Sequence, residues 1–179
     1  MESVTEKDSE ALFNLLHEAH KSNNKIGIHF ETAEVEKNIV REHIQTVPTF
    51  AYKNQEGELI STISIELPWS ANYELLVFPH IKWFATSPKY KNRGWGKKLI
   101  NQVIRDYVNC SLASPAVTID TAINHPWLRE FYMSLGFIPL KKLKLVKDHD
   151  SIYMIKMLKK EYFGKSIKGL EKGLKKYKR

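Results

Sequence analysis

In "SPKYKNRGWGKKLINQVI", Ser87 to Ile104, two glycines one residue apart open a strongly periodic helix among Lys91, Arg93, Lys97 and Lys98. Glycine in a helix interior costs about 1 kcal/mol against alanine, so two of them at a helix start need a reason. The first turn carries N–H groups without intrahelical partners, and the aligned peptide dipoles make that end equivalent to roughly +0.5 charge. Glycine there lets the backbone curl round an anion, and "KNRGWGK" reads as a cradle for phosphate oxygens. Taken alone, a G-x-G more commonly makes a tight strand-to-helix turn among solvated lysines. The spacing G-x-x-x-x-G-K-[ST] of nucleoside-triphosphate loops is absent, as is G-x-G-x-x-G followed by a ribose-binding acid.

Other reactive residue types assemble less well. His17 and His20 stand three apart on a helix, but no third ligand of suitable spacing follows, which argues against zinc. No G-x-S-x-G elbow or Cys/His pair supports a covalent hydrolase. Cys110, at a helix end before an apolar strand, is expected to be buried and inert. A lone cysteine excludes an internal disulfide and fits a reducing compartment.

The elements that would hold the glycine loop follow from hydrophobic spacing. A helix is expected over about Lys7–Ser22, with Ala11, Leu12, Leu15, Leu16 and Ala19 on one face. A second is expected over about Thr32–Gln45 through Val35, Ile39, Val40 and Ile44. "TFAYKNQEGELISTISIEL" predicts a hairpin turning at Asn54–Gly57, with Leu59, Ser61, Ile63 and Ile65 on one side of its second strand. "HIKWFAT" is a strand stopped by Pro88, and a helix follows through Leu99, Ile100, Val103, Ile104, Tyr107 and Val108. "PAVTIDTAI" is a buried strand. "NHPWLREFYMSLGF" is a short helix, with Asn124 or His125 as N-cap and Gly136 just past its end. Phe137–Leu158 makes a last hairpin, and residues 1–4 allow a short first strand. The order predicts an α/β (α+β) domain with a mixed central sheet.

Length and charge set the frame. At 179 residues the chain suits one domain, and no apolar run reaches the roughly 20 residues of a membrane span. The acidic "MESVTEKDSE" start is unlike a signal peptide, and a cytoplasmic location is expected. Residues 159–179 hold nine basic and two acidic side chains, so nearly all of the net +8 belongs to this stretch. The chain therefore divides into a domain over 1–158 and a basic C-terminal extension over 159–179. Ile167, Leu170, Leu174 and Tyr177 give the extension a helical stripe that would dock on the domain or on a second subunit of a homodimer. Clustered lysines also allow nucleic acid or ribosome contact.

The stretch "FATSPKYKNRGWGKKLINQVI" closely resembles the acyl-CoA-binding signature of the GNAT superfamily of N-acetyltransferases. That signature has a strand end here matched by Phe84-Ala85-Thr86-Ser87-Pro88, then a loop matched by Lys91-Asn92-Arg93-Gly94-Trp95-Gly96. "LREFYMSLGF" is similar to the second signature, a short helix bearing Tyr and ending in Gly-Phe. Two departures stand out: Lys91 replaces the usual Gln or Arg, losing planar geometry, and Thr86 replaces the commoner valine. The resemblance covers roughly residues 1–158 and implies a GNAT-like fold with acetyl-CoA as co-substrate and no metal. It also implies transfer to a primary amine of a small molecule or protein, by direct attack in a ternary complex.

By the same resemblance, the backbone at Phe84, Ala85 and Thr86 pairs with the pantetheine arm. The amides of Asn92, Arg93, Gly94, Trp95, Gly96 and Lys97 hold the pyrophosphate, with Lys91 at the rim. Trp95 covers the cofactor or packs on a neighbouring helix, and Asn124 contacts the cofactor or caps its helix. Tyr132 would protonate the departing thiolate, since a phenol near pKa 10 can donate to a group near 8.5; the alternative is a phenol merely packed there. No motif marks the base. Glu66, Glu74 and His80 are candidates, with a solvated surface role as the alternative for each. Two further functions stay open: a non-catalytic acyl-CoA-binding module, and a nucleic-acid-binding protein working through the extension.

Overall fold

A computed structural model describes residues 1–21, 27–28, 30–70, 78–144 and 150–163. Glu74, the tip of the last hairpin and most of the basic extension lie outside these residues. Among the described residues, seven strands form one sheet in the order β1-β2-β3-β4-β5-β7-β6. They are β1 (Glu2–Ser3), β2 (Thr49–Lys53), β3 (Leu59–Glu66), β4 (His80–Thr86), β5 (Ala116–Ala122), β6 (Ile138–Leu143) and β7 (Ser151–Met157). Only β4 and β5 run parallel; the other neighbours are antiparallel. The expected mixed sheet is therefore present, short first strand included.

Two apolar clusters cover the two faces. Helices α1 (Ser9–His20) and α2 (Lys37–Thr46) close one, through Leu12, Leu15, Leu16 and Val40 against Ala51, Leu59 and Ala85. Helices α3 (Trp95–Val103) and α4 (Leu128–Ser134) close the other, through Leu99, Ile100, Val103 and Tyr132 against Ile63, Ile65, Ile81 and Ile119.

The second helix begins later than its spacing predicts. Glu31–Ala33 makes a separate 3-10 turn, and Glu36, extended at ψ 154°, precedes Lys37. The Val35 carbonyl accepts a hydrogen bond from His17 Nε2 at 2.9 Å, which ties this backbone to α1 instead of to a helical turn. Ile39, expected on the apolar face, is exposed. Past Val103, α3 continues as a π-helical stretch, Ile104–Ser111, and the wider turn leaves Cys110 exposed, contrary to expectation.

β3 also departs from simple alternation. Lys53 pairs with Leu59 while Tyr52 pairs with Ser61, so Ile60 is an extra residue in β3. Leu59 consequently faces α1, whereas Ile63 and Ile65 face α3; they do not share one side as their spacing predicted. A bulge of this kind shifts the phase of every residue beyond it. β4 bulges in turn: Thr62 pairs with Ala85 and Ser64 with Lys82, leaving Trp83 and Phe84 opposite Ile63. Trp83 adopts φ 49° there and stacks on His43, the ring centroids 3.5 Å apart.

Burial, with the Lys82 charge behind it, holds the His43 imidazole down to about 4, and His20 is held to about 4 by burial and by the Lys91 and His125 charges. Both folded values lie below the unfolded value of about 6.5, so the unfolded chain binds more protons between these limits. Stability should fall as pH drops from about 6.5 towards 4, by on the order of 2 kcal/mol per histidine. Denaturant unfolding across that window should show the loss, and His43→Gln should remove about one proton from the linked uptake.

Candidate active site

The glycine loop sits where β4 hands over to α3. Gly94 holds φ 77° in the N-cap position with open space where a side chain would begin, so it serves the turn. Asn92 also takes a left-handed conformation, at φ 61°. Gly96 has a different task. A Cβ there would meet Thr86 Oγ1 at 2.8 Å and Phe84 Cζ at 3.1 Å, because the first turn of α3 is pressed onto the end of β4. Lys98 N is the first amide in the helical ladder, bonded to the Gly94 carbonyl at 2.9 Å. The amides before it form the donor-bearing end of the helix.

Ahead of this loop the sheet splits. β4 and β5 pair only at His80 with Thr118 and Ile81 with Ile119, and then run on without pairing. A cavity of about 650 Å³ occupies the split, lined at one end by Lys91, Asn92, Gly94, Trp95, Gly96 and Lys97. Phe84, Ala85, Thr86 and Tyr132 also line it. Trp95 meets Tyr52 edge-on at 5.6 Å while still facing the cavity, so packing and exposure to the site coexist. The Arg93 guanidinium is aimed elsewhere, over the Tyr90 ring.

Asn124 is not brought to the cavity. β5 continues to Ala122, and Asn124 lies exposed in the turn closed by His125 N on the Ala122 carbonyl. α4 starts only at Leu128, with Trp127 in the N-cap position, so neither Asn124 nor His125 caps it. His125 turns inward instead and is buried against Trp127.

Tyr132 is fixed by the end of its own short helix. Gly136, at φ 87°, lets Phe137 N reach the Tyr132 carbonyl and Gly136 N the Met133 carbonyl, a Schellman closure. Phe137 packs on the Tyr132 ring, which is 4 % exposed. Burial, reinforced by the Asp120 charge, raises the phenol well above its ordinary value and keeps it protonated.

The face of the sheet beneath α1 is polar at its centre. Side chains alternate along a strand, so while Ile65, Ile81, Ile119 and Met154 face α3, Glu66, His80, Lys82, Thr118, Asp120 and Tyr153 face the other way. His80 Nδ1 lies 2.9 Å from Thr118 Oγ1, and His80 Nε2 lies 3.0 Å from Asp120 Oδ1. Tyr153 stacks on His80 at 5.4 Å, and its phenol, hydrogen-bonded to Thr118, is pushed up to about 12, chiefly by burial. Glu66 Oε2 lies 2.8 Å from Lys82 Nζ, an ion pair off the line of a good hydrogen bond. Glu66 and His80 are thus buried, not solvated surface groups.

Asp120, Thr118 and Tyr153 escape a reading by motif. The available signal was a carboxylate inside a strand otherwise free of charge, "VTIDTA", which burial would not tolerate without partners. Among the described residues no cluster of three or more His, Cys, Asp or Glu could hold a metal, and no helix is long and apolar enough to cross a membrane.

A mixed sheet parted between its two parallel strands, with a helix N-terminus at the mouth of the gap, frames the site. Residues 15–160 match the family described as an acetyltransferase (GNAT) domain, and the chain belongs to that family. It is 31 % identical over 156 residues, 87 % of this chain and 94 % of the other, to S-(2-succino)cysteine N-acetyltransferase of Bacillus subtilis (strain 168). It is also 31 % identical over 168 residues, 93 % of each chain, to S-alkylcysteine N-acetyltransferase of the same organism. Ribosomal-protein-alanine N-acetyltransferase from Brucella melitensis shares the fold at 17 % identity and TM-score 0.69, covering 88 % of this chain and 98 % of that one. A spermidine N-acetyltransferase from Vibrio cholerae does so at 16 % identity and TM-score 0.64, covering 91 % and 96 %. The protein is an N-acetyltransferase.

Gly96→Ala should destabilise the fold by about 1–3 kcal/mol through overpacking against β4. Thr86→Ala in the same chain should recover part of that loss by removing the closest atom. A double-mutant cycle by chemical denaturation reads the coupling; strict additivity would mean that the contact does not limit the approach of α3.

Proposed function

We propose that the chain transfers the acetyl group of acetyl-CoA to the α-amine of an S-substituted cysteine or a similar small amino acid, by direct attack in a ternary complex. The observation that carries this reading is one continuous cavity joining the glycine loop, Tyr132 and the Asp120–His80 pair. The names of the two Bacillus relatives support the acceptor class.

In this reading the α3 end of the cavity takes the diphosphate. Amides from Asn92 to Lys97 donate to its oxygens, the helix dipole adds to the attraction, and Lys91 and Lys97 supply charge at the rim. The edge of β4 from Phe84 to Thr86, left without β5, offers main-chain groups to the pantetheine amides. Acetyl-CoA supplies the activated thioester, and its acyl end lies towards the foot of the split.

There Asp120 receives the ammonium of the acceptor and takes its proton, so that the neutral amine can attack. His80 positions the carboxylate: its Nε2–H donates to Asp120 Oδ1, and its Nδ1 is held 2.9 Å from Thr118 Oγ1. Of the earlier candidates for the base, His80 therefore acts through Asp120, and Glu66 is held by Lys82. Tyr132, kept protonated by burial, donates to the sulfur as the C–S bond breaks, and the second proton shed by the acylated nitrogen restores the phenol, so that CoA leaves as the thiol and one proton stays on Asp120. A cytoplasmic setting, where acetyl-CoA is available, agrees with the exposed thiol of Cys110.

Thiol release measured over a panel of amines that includes S-alkylcysteines tests the assignment. Tyr132→Phe should lower kcat by about 10–100-fold and leave the acetyl-CoA Kd within about threefold. Asp120→Asn should lower kcat/KM by roughly 100-fold. Unchanged turnover in either variant would remove that residue from its role.

A further inference from the structure

The polar floor carries both signs of charge. Pairing sets Glu66 opposite His80 and Ser64 opposite Lys82, and the β4–β5 ladder ends at Ile81 and Ile119. Lys82 and Asp120 are therefore the first residues on this face along the two arms of the split. Among the described residues, Lys82 forms an ion pair with Glu66 and Asp120 one with His80.

Lys82 is not consumed by its partner. The Glu66 side chain is 3 % exposed and the Lys82 side chain 42 % exposed, so a buried carboxylate tethers a lysine that is itself open and lines the cavity. Among the described residues, the other basic groups lining that space are Lys91, Lys97, His20, His80 and His125. Lys91 and Lys97 belong to the glycine-loop end, His80 is engaged through both ring nitrogens, and burial keeps His20 and His125 neutral near pH 7. At the foot of the split the fixed cation is Lys82.

We infer that Lys82 and Asp120 together read the headgroup of an α-amino acid, Asp120 taking the amine to be acetylated and Lys82 the carboxylate on the same carbon. The inference rests on the acceptor site proposed above. An ammonium and a carboxylate one carbon apart match an anion and a cation set on the two diverging strands. A carboxylate-free amine finds half of this recognition, and a polyamine brings a second cation against Lys82.

The test compares S-ethyl-L-cysteine with 2-(ethylthio)ethylamine, the same molecule without its carboxylate. The native enzyme should prefer the amino acid by at least tenfold in kcat/KM. Lys82→Met should lose at least tenfold on the amino acid, mainly through KM, and stay within threefold on the amine. Lys82→Arg should keep most of the preference, and the double variant Glu66→Gln/Lys82→Met should repeat the selective loss without stranding a buried carboxylate. Equal use of both acceptors by the native enzyme, or equal losses on both in Lys82→Met and in the double variant, would overturn the assignment. If calorimetry shows acetyl-CoA bound while neither compound is acetylated and other amines are, the proposed acceptor class fails, and this inference fails with it.

Discussion

Two parallel strands that pair for only two residues and then part are the constraint on which this protein turns. Backbone N–H and C=O groups left unpaired inside a protein are costly, and β4 beyond Ile81 has β3 on one edge only. A ligand with amide groups of its own can satisfy the other edge. The gap is kept open from both sides: β5 is paired along its length with β7, and β4 is held to β3 through a bulge.

The bulge and the glycines act in concert with that gap. Trp83 and Phe84 together oppose one residue of β3, which sends Trp83 to the α1 side and Phe84 into the opposite cluster beside Phe131. Gly96 then allows α3 to sit directly on Phe84 and Thr86. The helix N-terminus is thereby brought to the mouth of the split, where its dipole can act on a ligand lying along β4. Dipole effects fade within the first turn, so this close approach matters more than the number of lysines around it.

At the other end, charged groups stand on a sheet face that α1 covers only in part, Glu66 and His80 buried, Lys82 and Asp120 partly open. Such groups persist when each has a partner, and here Glu66 has Lys82 while Asp120 has His80, itself backed by Thr118 and Tyr153. The arrangement keeps a carboxylate and an ammonium facing one cavity from two strands that are not paired with each other at that level. Buried ion pairs of this sort add little to stability.

Much was legible from the chain alone. Apolar spacing and turn residues located β2 to β7 and the four main helices, and two separated signatures pointed to acyl transfer. Reading failed where a long-range contact overrode local pattern. His17 holds the Val35 carbonyl and delays α2; Ile60 adds a residue to β3 and turns Leu59 to the opposite face; the continuation of β5 to Ala122 leaves Asn124 in solvent. Sequence determined the elements, the glycine loop and the phenol at Tyr132, because spacing along one segment encodes a local surface and a local turn. Only the tertiary structure decided that Asp120, His80 and Lys82 meet at one cavity, since strand register and the parting of β4 from β5 depend on contacts between residues far apart in the chain.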